Sequence, residues 1–96
     1  MTLGEFVKSR RREILRVAAE YGASDVRLFG STARGDSVPE SDVDILVRLE
    51  SGRSLLDLIA IKQGLEDLLG AKVDVVTEAS VSPYMRAQVL KDAVPL

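Results

Sequence analysis

The run Ser41-Asp42-Val43-Asp44-Ile45-Leu46-Val47-Arg48-Leu49, with the segments Ser54-Leu55-Leu56-Asp57-Leu58-Ile59-Ala60-Ile61 and Lys72-Val73-Asp74-Val75-Val76-Thr77 that follow it, decides the fold of this chain. Asp44 to Leu49 is a short, strongly apolar stretch that stops before Ser51-Gly52, which predicts a strand. Ser54 is a suitable N-cap for a helix in which Leu55, Leu58, Ile59, Ile61, Leu65, Leu68 and Leu69 cover about half the circumference before Gly70 ends it. Residues 72 to 77 then predict another strand. A strand, a helix of about 15 residues and a strand make a right-handed crossover, so the two strands run parallel, most simply as neighbours. Asp42 and Asp44 lie at the beginning of one and Asp74 near the beginning of the other. Parallel pairing therefore gathers three carboxylates on one edge of a small sheet.

Working outward, Val26-Arg27-Leu28-Phe29 predicts a strand that ends at Gly30. Before it, Leu3, Phe6, Val7, Ile14, Val17, Ala18 and Tyr21 fall at helical spacing. Thr2 is placed to cap that helix and Gly22 to stop it, giving one helix over about residues 2 to 21. After the crossover, Ser82-Pro83 reads as a cap and first-turn proline opening a last helix to about Asp92. The order helix, strand, polar loop, strand, helix, strand, helix predicts a mixed α/β (α+β) domain with a three-stranded sheet. It forms one unit over residues 1–96, without linker or repeat.

Composition removes much other chemistry. With 46% hydrophobic residues in 96, the chain can bury one core but not two. Thirteen Lys and Arg against fifteen Asp and Glu give a formal net charge of −2, which argues against direct nucleic-acid binding by global positive charge. Lys8, Arg11, Arg12 and Arg16, beside Arg10, share a helix side. They read as a solvated face, with a partner or nucleic-acid contact as the alternative. No apolar run approaches the roughly 20 residues that span a bilayer, and no signal-peptide core opens the chain, so a soluble, cytoplasmic protein is expected. There is no Cys and no His, which excludes disulfides, thiol nucleophiles, imidazole catalysis and ordinary zinc sites.

What remains are carboxylates, hydroxyls, amines, guanidinium groups and backbone amides. Alternation along a strand puts Asp42 and Asp44 on one side and Val43, Ile45, Val47 and Leu49 on the other. Two carboxylates about 7 Å apart along the backbone suit a hard cation such as Mg²⁺, which takes oxygen ligands and leaves positions for phosphate and water. Upstream stands Gly30-Ser31-Thr32-Ala33-Arg34-Gly35-Asp36. Gly30 permits close approach of backbone amides to a phosphate, and Ser31 adds a hydroxyl donor. Arg34 can pair with a phosphate oxygen or form a loop salt bridge with Asp36 or Glu40. The turn is not a Walker A loop, because Asp36 occupies the lysine position. Two apolar-to-aromatic features stay open. Ile61, Leu65 and Leu68 are expected in the core, with a subunit contact as alternative. Tyr84 is expected to pack in its first turn, with base stacking as alternative.

Gly30-Ser31, ten residues, then Asp42-Val43-Asp44 and a later apolar-flanked Asp74 resemble the signature of the DNA polymerase β-type nucleotidyltransferase superfamily. Leu28 to Gly35 and Ser41 to Val47 are similar to its minimal nucleotidyltransferase (MNT) proteins. The resemblance covers essentially the whole chain and implies the polymerase β-like palm fold. It implies that Gly30 and Ser31, with Arg34 nearby, hold the phosphates of an NTP. Asp42 and Asp44 would bind catalytic Mg²⁺, and Asp74 would complete a second metal site or help deprotonate the acceptor. ATP is the family's usual donor. The resemblance also implies a HEPN-domain partner, an all-helical protein that can be an RNase toxin, with the MNT protein as antitoxin, in some cases transferring AMP to a toxin tyrosine. Two alternatives stand beside it: an antitoxin that only masks its partner, and an enzyme acting on a small-molecule hydroxyl.

Overall fold

The crossover forms where its periodicity places it. In the computed structural model, which describes residues 1–36 and 41–96, β2 (Val43–Leu49) leads through α4 (Leu55–Leu69) into β3 (Val73–Thr77). β2 and β3 pair in parallel, with Asp44 opposite Asp74 and Val43 opposite Val73. Ser54 caps α4 in a reciprocal capping box with Asp57, and Gly70, at φ 65°, ends it in the left-handed conformation. Upstream lie α1 (Leu3–Ser9), α2 (Arg11–Glu20), β1 (Ala23–Phe29) and α3 (Gly30–Arg34); downstream a 3₁₀ turn (Glu78–Ser80), α5 (Pro83–Asp92) and β4 (Val94–Pro95). The sheet order is β3-β2-β1-β4, with β1 antiparallel to both β2 and β4.

Two expectations are corrected. The sheet has four strands rather than three. β4 is two residues long and pairs with β1 through Val94 opposite Leu28 and Pro95 opposite Arg27. A proline, lacking an N–H, is tolerated on such an edge, and so short a strand leaves no periodic trace in sequence. The single N-terminal helix is two helices, broken at Arg10 (φ −103°, ψ 16°). At the break the Ser9 hydroxyl donates to the Phe6 carbonyl at 2.6 Å, competing with the helical ladder. The break lets α1 lie against α3 while α2 packs on β1 and α4. At the first of these contacts a Cβ on Gly4 would stand 2.7 Å from the Thr32 carbonyl oxygen, so only glycine allows the approach.

The core lies on one face of the sheet. Val7, Ile14 and Ala18 of α1 and α2, Ile61, Leu65 and Leu69 of α4, and Leu28, Val43, Ile45, Val47 and Val73 of the strands form one buried cluster. Full burial of each Leu, Ile or Val contributes about 1.5–3 kcal/mol, enough to anchor one side of β2. Ile61 and Leu65 are thus core residues, as expected, whereas Leu55, Leu56 and Ile59 at the start of α4 are exposed. Strand alternation turns Asp44, Leu46 and Arg48 to the opposite face. There α5 packs against β1 and buries Val89. No helix among the described residues is long and apolar enough to cross a membrane.

Candidate active site

The site grows from the junction of β1, α3 and β2. Phe29, the last residue of β1, pairs with Asp44, and Gly30 turns the chain into α3. Gly30 has φ 74°, and a Cβ built on it would overlap the Oδ2 of Asp44. Backbone conformation and the closeness of a carboxylate therefore both demand glycine here. Thr32, the buried polar residue of the turn at 3% exposure, donates its hydroxyl to the Asp42 carbonyl at 3.3 Å. The amide of Val43 donates to the Lys72 carbonyl at 2.9 Å. These two bonds fix the glycine turn, the Asp42–Asp44 segment and the entrance of β3 to one another.

Asp44 is half-buried, and its carboxyl is pushed up to about 6. Burial is the main cause, followed by the negative charges of Asp74 and then Asp42; Arg34 opposes them weakly. A carboxylate in an acidic, partly desolvated place with so little positive compensation is one that a cation would stabilise. The donor set is all oxygen, which fits a hard divalent ion. Among the described residues no three carboxylates are assembled into a ready-made cage. The convergence of Asp42, Asp44 and Asp74 is thus one of charge and register, with Asp42 and Asp74 exposed and Asp44 inward.

Asp44 also stands between two clefts. The first, about 450 Å³, is bounded by Gly30, Ser31 and Arg34 on one side and by Tyr84, Met85, Gln88 and Asp92 of α5 on the other. The second, about 290 Å³, opens toward Asp74, Val76 and Ser80 to Ser82. Phe29, Asp44, Met85 and Val89 border both, so the two clefts adjoin at Asp44. Arg34 faces the first cleft but is engaged: its Nη1 donates to Asp92 Oδ2 at 2.7 Å and its Nε to Asp36 Oδ2 at 3.3 Å. The loop salt bridge with Asp36 forms as expected; Glu40 lies outside the described residues.

Gly30, Ser31, Arg34, Asp42, Asp44 and Asp74 are therefore gathered around one junction. Tyr84 departs from expectation: it is 98% exposed and does not pack in the first turn of α5. Gln88 and Asp92 had no sequence signal as site residues, and Phe29 and Thr32 entered only as members of the run from Leu28 to Gly35. Thr32 is one hydroxyl in a polar turn, and the Arg34–Asp92 pair joins residues 58 apart.

An acidic strand entrance beside a glycine turn in a mixed sheet is the arrangement that the resemblance to nucleotidyltransferases implied. Residues 10–96 match the nucleotidyltransferase domain family, and the chain belongs to it as an enzyme of that class. A Methanocaldococcus jannaschii protein assigned as a protein adenylyltransferase is 40% identical over 84 residues, 88% of this chain and 90% of that protein. The protein adenylyltransferase MntA of Thermococcus cleftensis is 40% identical over 74 residues, 77% of this chain and 75% of that one. A solved structure assigned as a minimal nucleotidyltransferase superposes with a TM-score of 0.87 at 48% identity, covering 100% of this chain and 97% of that one. The fold is shared, at TM-score 0.74 and 24% identity, with a toxin–antitoxin crystal structure containing AMP-PNP, over 88% of this chain and 69% of that one.

Proposed function

We propose that this chain transfers AMP from ATP to a hydroxyl group of a partner protein, using Mg²⁺ held by Asp42, Asp44 and Asp74, and acts in the cytoplasm as antitoxin to a HEPN-domain partner. The observation that carries this reading is that Asp44 lines two adjoining clefts, one bordered by the glycine turn and the other by Asp74. Donor and acceptor enter from opposite sides and meet at the acidic edge. The names of the curated relatives, which are protein adenylyltransferases, support a protein acceptor.

In this reading Gly30 brings backbone amides against the β- and γ-phosphates and Ser31 adds its hydroxyl. Arg34, already paired with Asp92 and Asp36, borders the same end of the cleft and would meet a phosphate oxygen by giving up its exposed contact with Asp36. Bound metal would neutralise charge on the phosphates and lower the pKa of the acceptor hydroxyl. Asp74 takes the acceptor proton as the acceptor oxygen bonds to the α-phosphorus and the bond to the pyrophosphate oxygen breaks. Pyrophosphate then leaves on the Gly30-Ser31 side. Thr32 holds the turn in register with Asp42 and is a positioning residue.

The test is to incubate the chain with ATP, Mg²⁺ and a HEPN-domain partner and to weigh the partner. A gain of AMP, lost in a folded Asp42→Ala/Asp44→Ala double variant, is the expected result. Inhibition of the partner with no mass change would replace transfer by masking. AMP transfer undiminished in the double variant would sink the assignment of the acidic site.

A further inference from the structure

The first cleft contains more than a phosphate grip. Tyr84 and Gln88 of α5 are four residues apart, hence on one helix face about 6 Å apart along the axis. Both border the cleft that begins at Gly30 and Ser31 and reaches Asp44. Tyr84 makes no use of its ring within the fold, being 98% exposed. Gln88 is differently placed. Its Nε2 donates to Asp92 Oδ1 at 3.0 Å, while Asp92 Oδ2 accepts from Arg34 at 2.7 Å. The Asp92 side chain is only 10% exposed. A carboxylate only accepts, so this contact fixes which way the Gln88 amide faces. The opposite orientation would aim Oε1 at a half-neutralised carboxylate. Oε1 and the second N–H of Gln88 are left for a ligand, in a fixed acceptor-and-donor order.

Resting on the donor assignment proposed above, we infer that Tyr84 and Gln88 form the nucleobase subsite of this cleft, Tyr84 stacking on the base and Gln88 reading its edge. A base whose Watson–Crick edge places a 6- or 4-amino group beside a ring-nitrogen acceptor matches the oriented amide; adenine (N6, N1) and cytosine (N4, N3) do so. Guanine and uracil present a carbonyl beside an N–H, the reverse order, and would need the amide to turn against Asp92. The chain therefore selects donors whose base carries an amino group at purine C6 or pyrimidine C4 over those with a carbonyl there, with Asp92 positioning the selecting group. A stacked ring contributes to every base alike, because each has a π-face.

The experiment measures binding of ATP, CTP, GTP and UTP to the full chain with Mg²⁺ by calorimetry, for wild type and for Tyr84→Ala, Gln88→Ala and Asp92→Asn. Circular dichroism checks each fold; the exposed Tyr84 can be truncated without loss of packing. Wild type is expected to favour ATP and CTP by about 10-fold. Gln88→Ala should bring that ratio near one, and Asp92→Asn should reduce it by freeing the amide to turn. Tyr84→Ala should weaken all four nucleotides by about 10-fold and leave the ratio intact. Equal wild-type affinity for the four, or an unchanged ratio in Gln88→Ala, overturns the subsite while leaving the donor site standing. Failure of wild type to bind any NTP overturns both. Tyr84→Ala that loses partner binding but keeps full nucleotide affinity assigns that ring to a protein interface instead and refutes its stacking role.

Discussion

Replacing Gly30 with alanine separates backbone strain from displacement of the acidic group. At φ 74° an L-residue is strained whatever the space around it, at a cost of about 1–2 kcal/mol. At Gly30 the new methyl also meets the Asp44 carboxylate, with Cγ at 3.3 Å and Cβ at 3.5 Å behind it. Asp44 must swing away, and an active-site group moved by roughly 1 Å loses about 10²-fold in rate. Gly70→Ala is the control: its φ is 65° and a Cβ there meets nothing within 4 Å. Both variants should therefore melt lower by similar amounts, about 4–8 °C per kcal/mol for a domain of this size. Only Gly30→Ala should lose transfer, by about 10²-fold at a temperature where both are folded. The assay pairs a thermal melt with AMP incorporation into the partner. If Gly30→Ala transfers AMP as fast as Gly70→Ala, the contact between the turn and Asp44 has no part in catalysis.

Three further outcomes follow from other contacts. The Asp44 carboxyl is raised from 3.8 to about 6, so the fold favours its protonated form. The stability this contributes is complete below about pH 3.8 and is lost as pH rises through about 6. The full shift would correspond to about 3 kcal/mol, which solvent screening of a half-exposed group reduces to about 1–2 kcal/mol; metal-free Asp44→Asn should show no such loss in melts across that window. Thr32→Val keeps the shape but removes the donor to the Asp42 carbonyl, so it should lower stability by about 1 kcal/mol and transfer by a larger factor than the melt accounts for. Ser54→Ala removes the cap of α4, far from the acidic edge, and should cost about 1 kcal/mol in a denaturant titration with transfer unchanged.

The legible parts of this fold were those governed by local chemistry or by chain length. The caps at Thr2, Ser54 and Ser82 all accept the backbone bonds their residue types predict. The parallel pairing of β2 and β3 followed from the strand–helix–strand order, to which the structure adds the register that sets Asp44 opposite Asp74. What escaped depended on tertiary partners. The break at Arg10 serves the approach of α1 to α3, which no helical period reveals. β4 exists because β1 offers an edge, not because Val94-Pro95 favours a strand. Ser82-Pro83 announces a helix but carries no information on whether a layer will cover Tyr84. Arg34 could be read as phosphate ligand or loop ion pair from its neighbours, but Asp92 reaches it only because α5 folds back over α3.

The raised carboxyl of Asp44 also explains why so small a domain places its acidic edge where it does. Three like charges at one sheet end oppose folding, and the opposition is strongest at the residue turned inward. The strand tolerates this because Val43 and Ile45, on either side of Asp44, are fully buried in the opposite core. A slip of one residue would exchange them with the acids, at a cost in lost burial larger than the electrostatic relief. Register is thus held by the apolar face, and the polar face is free to carry an arrangement that is unfavourable by itself and that the proposed cation would relieve. Asp44→Asn should for this reason be more stable than wild type at pH 7 without metal and still transfer no AMP. A variant that is less stable, or that keeps its activity, would contradict this link between strain and function.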